Sequence, residues 1–388
     1  MGERIEAMAN PELLVWARTT AGYSIEEAAK RAQINSARLS AWEAGSARPT
    51  IVQLRRLAEI YKRPFAVFYL PEPPHEKPPL HDFRRIDPAT VTGASPELLF
   101  EVRRARFRRA VALDLFRDLE LDVPRLTIRA RSTDDPEHLA GRLRDVIGVS
   151  LETQFSWKNI SDAFRGWRTA LEDLGVLVFQ AGGIELEEMR GLSIGEHPLP
   201  VIVVNSKDAL AGRIFTMLHE MVHLTLRHDG LCDLMEVATH EKSADRKIEA
   251  FCNRVAGAML VPEASLRNEP LVVQHRGNFD WGDEELGFLS RRYRVSRETA
   301  LRRLVILGKA SEAFYQRKRE QYQIEYDLAE PSSGFASPDT LAVSRAGNLF
   351  VRLVLDGYRN EVITSNDAAE YLGVQVKHFP KIEEAVAG

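Results

Sequence analysis

The sequence predicts a mainly α-helical chain with a small β-sheet: an all-α N-terminal domain, an α+β domain, then a helical C-terminal region. Three observations predict this. Helix-period apolar patterns with capping residues run through most of the 388 residues. Only Gly175 to Gln180 (GVLVFQ) and Leu199 to Asn205 (LPVIVVN) are apolar, β-branched runs of strand length. Pro71 to Pro79 (PEPPHEKPP) is a proline-dense connector, extended and semi-rigid, that divides the chain.

The length exceeds one ordinary core, so two or three domains are expected. The expected divisions are a compact helical unit over 1–70, a linker and helical connector over 71–150, the α+β domain over 151–310 and a helical region over 311–388. Helices are expected at 96–122, within 136–175, at 208–228 and at 242–260, and the pattern stays helical from 285 onward. An apolar fraction of 44% and a charged fraction of 28% are ordinary for a globular protein. The net charge of −4 excludes a general polycation, so any nucleic-acid contact must come from a local basic face. Cys232 and Cys252 cannot build a disulfide framework, which fits a reducing compartment. No basic-then-apolar leader opens the chain, and no run nears the roughly 18 apolar residues of a membrane span. A cytoplasmic protein without membrane association is expected.

Ser24 to Thr50 (SIEEAAKRAQINSARLSAWEAGSARPT) has the layout of a helix-turn-helix. Ser24 and Glu27 form a capping box, Ala28 is small where two helices cross, and the turn falls at Ala32 to Asn35. A second helix follows from Ser36 to Ala44, and Gly45 supplies a left-handed stop. Pro49-Thr50 opens the next helix, with Leu54, Leu57, Ala58 and Tyr61 on its buried stripe. Residues 10–68 resemble the Cro/cI-like XRE family, including Trp42-Glu43-x-Gly45 and the Pro49-Thr50 turn. The resemblance implies that the second helix lies in the major groove, with Ser36, Ala37, Arg38 and Ser40 facing base edges and Gln33 at the turn. Arg38 is the candidate for a bidentate guanine contact. The alternative is the same bundle binding protein; the short polar and basic face favours DNA. Few base-reading side chains per half-site point to a homodimer on a palindromic operator.

Arg213 to His228 (RIFTMLHEMVHLTLRH) carries the pattern His219-Glu220-x-x-His223. Residues i and i+4 share a helix face, so both imidazoles can hold one ion. Glu220 sits to one side, able to take a proton from a water there without binding the metal. Chance alone can produce this pattern, so context matters. The surrounding helix is apolar, and polar groups buried in it need partners. A catalytic zinc usually takes three protein ligands. The helix before Pro262 offers Glu249, with Asp245 and Cys252 near it, on a small apolar framework of Ala250, Val255, Ala256, Ala258, Met259 and Leu260.

Roughly residues 150–310 resemble the ImmA/IrrE family of zinc metallopeptidases. The resemblance rests on GVLVFQ, GLSI, LPVIVVN, on Arg213, Phe215, His219, Glu220 and His223, and on Glu249, Asn253, Ala256, Leu260 and Pro262. It departs at Cys252, where alanine is usual, and at Val255, where phenylalanine is usual; both are packing positions. The resemblance implies a zincin-like, gluzincin-like metallopeptidase fold with Zn2+ held by His219, His223 and Glu249, and Glu220 as catalytic base. It further implies a protein substrate cut at few sites, such as a repressor or toxin-pair partner, and gene control in stress, phage or toxin–antitoxin settings. Arg213 and His228 are candidate substrate or transition-state contacts. A brace at the helix start is the other reading for Arg213, and for His228 a dipole partner at the helix end. A non-proteolytic repressor or antitoxin using the fold as a sensor or interaction platform is the alternative function.

Three further segments have plain readings. Arg103 to Arg109 (RRARFRR) reads as a solvated, salt-bridged helix face, with a second phosphate-contacting surface as the alternative. Val295 to Leu304 (VSRETALRRL) and Ile363 to Phe379 (ITSNDAAEYLGVQVKHF) look loosely helix-turn-helix-like and read as structural helices, with extra DNA-reading modules as the alternative.

Overall fold

The computed structural model describes residues 5–74, 94–226, 241–275, 279–328 and 337–387. The chain divides into two compact units, Met1–His81 with Arg85–Arg104 and Asp82–Arg84 with Ala105–Gly388.

The first unit is all-α: α1 (Pro11–Thr20), α2 (Ile25–Ala32), α3 (Ser36–Glu43) and α4 (Ile51–Tyr61), then a short 3-10 turn. The capping box forms as the sequence predicts: Glu27 N–H donates to Ser24 Oγ at 3.1 Å, and Ser24 N–H to Glu27 Oε2 at 3.0 Å. Thr50 and Gln53 repeat the device at the start of α4. Gln33 takes the left-handed conformation at φ 57°, so the chain reverses between α2 and α3 within the turn. Leu13, Leu39, Trp42, Leu54, Leu57 and Tyr61 form the core, and Ala28 is fully buried where the helices meet. The long helix α5 (Pro96–Asp118) gives Pro96–Arg104 to this unit and the rest to the second.

The second unit is α+β. After α6 (Pro136–Ile147), α7 (Leu151–Ser156) and α8 (Ile160–Asp173) comes a three-stranded sheet, β1 (Leu177–Ala181), β2 (Gly191–Ile194) and β3 (Val201–Asn205), in the order β1-β3-β2. β1 runs parallel to β3 with Leu177 opposite Val201; β2 runs antiparallel with Leu192 opposite Val203. Every residue of β1 and β3 is buried, which is why both read as unbroken apolar runs. β2 is a strand the sequence did not predict, because GLSI is four residues long and shows no alternation.

Helices α9 (Leu210–Leu226) and α10 (Glu241–Leu260) pack on each other, and α9 also packs on the sheet. The end of α10 is buried, so its last carbonyls need partners. Arg144 Nη1 donates to Met259 O at 2.6 Å, Gln154 Nε2 to Leu260 O at 2.9 Å and Arg303 Nε to Val261 O at 2.9 Å. Among the described residues the helices that follow are α11 (Glu263–Arg267), α12 (Pro270–Gln274), α13 (Asp283–Tyr293), α14 (Arg297–Ile306), α15 (Glu312–Leu328), α16 (Pro338–Ala346), α17 (Asn348–Arg359), α18 (Ser365–Leu372) and α19 (Phe379–Ala387).

The arginine-rich stretch of α5 departs in part from the expected solvated face: Arg104 is exposed and paired with Glu101, but Arg108 and Arg109 turn inward. Arg108 is 6% exposed, its guanidinium 5.2 Å from the Phe179 ring and 5.8 Å from the Phe350 ring. Arg109 donates to Leu199 O at 2.9 Å and to Pro198 O at 2.8 Å. A guanidinium buries readily when aromatic faces and carbonyl oxygens surround it, and a charge count along the helix does not show those partners.

Candidate metal centre and helix-turn-helix face

α9 and α10 bring together three of the residues singled out in the sequence. His219 Nε2 lies 3.0 Å from His223 Nε2 and 3.2 Å from Glu249 Oε2, and His223 Nε2 lies 3.1 Å from Glu249 Oε1. The helical repeat stacks the two imidazoles on one face of α9, with ring centroids 4.8 Å apart. The apolar surroundings then press them against α10: Leu218, Met221 and Val222 are fully buried, and His219 is 0% exposed.

His219 Nδ1 is 2.9 Å from Asn253 Oδ1. An amide oxygen only accepts, so Nδ1 carries the proton and donates, leaving a lone pair on Nε2. Burial pushes the Glu249 carboxyl up, and the imidazoles of His219 and His223, when protonated, outweigh it and hold its pKa down to about 2. Glu249 Oε1 is buried and makes no hydrogen bond, although His223 Nε2 stands beside it.

These features fit a bound cation. Two ring nitrogens and a carboxylate, all electron-pair donors, converge within 4.8 Å of one another among the described residues. Three atoms each about 2.0–2.2 Å from one ion at tetrahedral angles would stand roughly 3.3 Å apart, close to the spacing found. A buried carboxylate oxygen lacking a hydrogen bond is what a missing positive centre leaves behind.

Glu220 follows His219 and is 5% exposed. It lies beneath β2, where a Cβ on Gly191 would stand 2.4 Å from Thr216 Cγ2, 3.1 Å from Val203 O and 3.4 Å from Glu220 Cγ. Only glycine lets α9 approach the strand so closely. Arg213 Nε donates to Asp208 O at 2.7 Å, Nη1 to Gln180 Oε1 at 2.9 Å, and Nη2 to Ser206 O. His228 lies outside the described residues. Asn253 and Gly191 were not singled out as site residues. Asn253 could have been found as the residue one turn after Glu249 on the same helix face.

In the first unit, Gln33, Ala37 and Arg38 are exposed, and Ser36 and Ser40 are half-buried. Ser40 Oγ donates to Ser36 O at 3.1 Å, and the Arg38 guanidinium lies 5.5 Å from the Trp42 ring. Glu43 faces inward instead, taking two bonds from Arg18 at 2.8 and 2.9 Å that tie α1 to the end of α3. The turn geometry is shared by several helix ends of the second unit, among them the two segments that looked helix-turn-helix-like in the sequence. Arg294 (φ 55°) joins α13 to α14, and Gly373 (φ 69°) ends α18. At each turn the next residue's N–H bonds five residues back, as Ile34 to Ala29, Val295 to Ser290 and Val374 to Ala369, all at 3.0 Å. On α14 the charged face is occupied by α15, with Arg302 paired to Glu312 and Arg297 to Glu325.

A helix-turn-helix unit joined to an α+β unit with a buried His-His-Glu cluster defines a regulator carrying a protease-like domain. Residues 14–68 match the helix-turn-helix family model, and residues 171–305 match the model of the IrrE N-terminal-like domain, a peptidase family. One chain thus joins a segment similar to XRE-type helix-turn-helices to a segment similar to ImmA/IrrE domains. No curated protein matches it. No described helix is long and apolar enough to cross a membrane.

Proposed function

We propose that this protein is a DNA-binding transcriptional regulator whose second unit is a zinc-dependent endopeptidase acting on a partner regulatory protein. The observation that carries the reading is the convergence of His219, His223 and Glu249 on one point, with Glu220 the next residue after His219 on the same helix. These three residues would hold Zn2+, which when bound supplies Lewis acidity toward a water and a peptide carbonyl. Glu220 would accept the proton of the attacking water and return it to the departing amine. Asn253 keeps His219 in the tautomer whose Nε2 faces the cluster. The buried helix face keeps bulk water from competing for the carboxylate.

In the first unit, α3 enters the major groove of double-stranded DNA, with Ser36, Ala37, Arg38 and Ser40 toward base edges and Gln33 at the turn. One short helix reads few bases, so a cytoplasmic homodimer on a palindromic operator is the working assembly. The protein partner is a repressor or the cognate member of a toxin pair.

The test measures bound zinc, operator repression and proteolysis of the neighbouring gene's product, in the wild type and in Glu220→Gln. The reading expects zinc in both proteins and cleavage by the wild type alone. Cleavage that persists in Glu220→Gln removes Glu220 as the base. Repression that switches normally in His219→Ala/His223→Ala, with no cleavage by the wild type, would favour a regulator that uses the fold only as a platform.

A further inference from the structure

Among the described residues β1 is an edge strand of its sheet, and an edge strand presents backbone groups that need cover. The cover comes from the junction of α16 and α17, which lies beyond the matched segment 171–305. Arg168, 5% exposed, donates to Val178 O of β1 and, at 2.8 Å, to Ser344 O of α16. Glu172, 3% exposed, accepts the first amides of α17, from Asn348 at 3.1 Å and Leu349 at 3.3 Å. Gly347 makes this seat possible. It has φ +81°, and a Cβ there would stand 2.3 Å from Glu172 Oε1 and 2.7 Å from Val178 O. Phe350 of α17 closes edge-on against Phe179 of β1, with centroids 5.9 Å apart.

One side chain connects this seat to the helix of the metal cluster. Gln180 of β1 is 2% exposed. Its Nε2 donates to Ser344 O and Ser344 Oγ, both at 2.8 Å, and its Oε1 accepts from Arg213 Nη1 at 2.9 Å. Arg213 lies in the first turns of α9 and also grips Asp208 O and Ser206 O, the segment leading into that helix. A carboxamide has distinct donor and acceptor ends, so Ser344 fixes which end faces Arg213.

We propose that residues 337–387 are an integral part of the metal-binding unit, and that Gln180 is a positioning residue coupling their docking to the start of α9. Loosening the C-terminal helices frees the Gln180 carboxamide to rotate, and Arg213 then loses the acceptor that fixes the first turns of α9. The significance for catalysis rests on the proposed zinc-peptidase reading; the coupling itself does not.

The test is hydrogen exchange on full-length, metal-free protein, following amides in 210–217 and 338–359, with 25–61 of the first unit as the folding control. Gly347→Ala perturbs the seat, Gln180→Met removes all three Gln180 bonds at equal side-chain length, and Gln180→Glu keeps the acceptor for Arg213 but cannot donate to Ser344 O. Gly347→Ala should speed exchange about tenfold or more in both 338–359 and 210–217. Gln180→Met should speed 210–217 similarly, and adding Gly347→Ala should bring no further change there. Gln180→Glu should keep 210–217 protected and leave it insensitive to Gly347→Ala. Should Gly347→Ala fail to fold, Phe350→Leu is the gentler perturbation of the same seat. The proposal is overturned if 338–359 loosens while 210–217 keeps its protection, or if the two variants' effects on 210–217 simply multiply. Zinc binding and cleavage play no part in these readouts, so failure of the peptidase reading would leave the result standing.

Discussion

Asn253 Oδ1 stands 2.9 Å from His219 Nδ1, so the ring nitrogen that faces away from the cluster is fixed by an amide on the neighbouring helix. The other nitrogen is thereby presented, unprotonated, to His223 and Glu249. Removing the acceptor frees both the tautomer and the ring orientation. Asn253→Ala is expected to weaken zinc binding by about 10- to 100-fold, and Asn253→Asp, which keeps an acceptor, should retain most of the affinity. Competition with a chromogenic chelator measures both. Equal affinity in Asn253→Ala and the wild type would show that packing alone orients the ring.

The pairing of His219 with His223 was legible because helical spacing is a local signal, whereas spacing left Glu249 open beside Asp245 and Cys252 and only the family resemblance singled it out. The capping box of α2 was legible for the same reason: Ser24 with Glu27 is a contact within one turn. What escaped was set by tertiary contact. β2 exists because β3 pairs with it, and GLSI has no pattern of its own. Arg108 is buried because two aromatic rings from distant elements meet it. The bridge from Ser344 through Gln180 to Arg213 joins positions far apart in the chain, with no periodicity to mark it.

Arg38 is exposed on α3 with its guanidinium over Trp42, which stiffens the side chain without engaging its fork. If it reads a guanine, Arg38→Ala should cost about 1–3 kcal/mol of operator affinity and relax preference at one base position. Titration against operators varied one base at a time would check this. A loss that is uniform across all sequences would make Arg38 a phosphate contact instead.

Glu172 gives the second unit a pH dependence with a definite sign. Burial raises its carboxyl from 4.5 to about 7, against the opposing pull of the Arg168 charge and the Leu349 and Asn348 amides. The folded state therefore holds the proton more tightly than the unfolded chain does. The stability this contributes is complete below about pH 4.5 and is lost as pH rises through about 7. Melting of the second unit, followed across that window, should fall with rising pH by more in the wild type than in Glu172→Gln. Identical slopes in the two proteins would assign the dependence to other groups.

Gly191 tests how closely α9 must approach β2. The added methyl of Gly191→Ala would stand 2.4 Å from Thr216 Cγ2 and 3.1 Å from Val203 O, one a side chain and the other backbone in the paired strand. The backbone cannot yield without disturbing the β2–β3 ladder, so α9 must shift. Overpacking of this kind costs about 1–3 kcal/mol. Because Thr216 and Glu220 lie one turn apart on the face that meets Gly191, the shift should also displace Glu220 and lower any peptidase turnover. Thr216→Ser removes the methyl that makes the closest contact, so the double variant should regain most of the stability lost by Gly191→Ala. A denaturation cycle over the four proteins measures the coupling. Strict additivity would mean that the strand, not the helix, absorbs the extra methyl, and Glu220 would then keep its place.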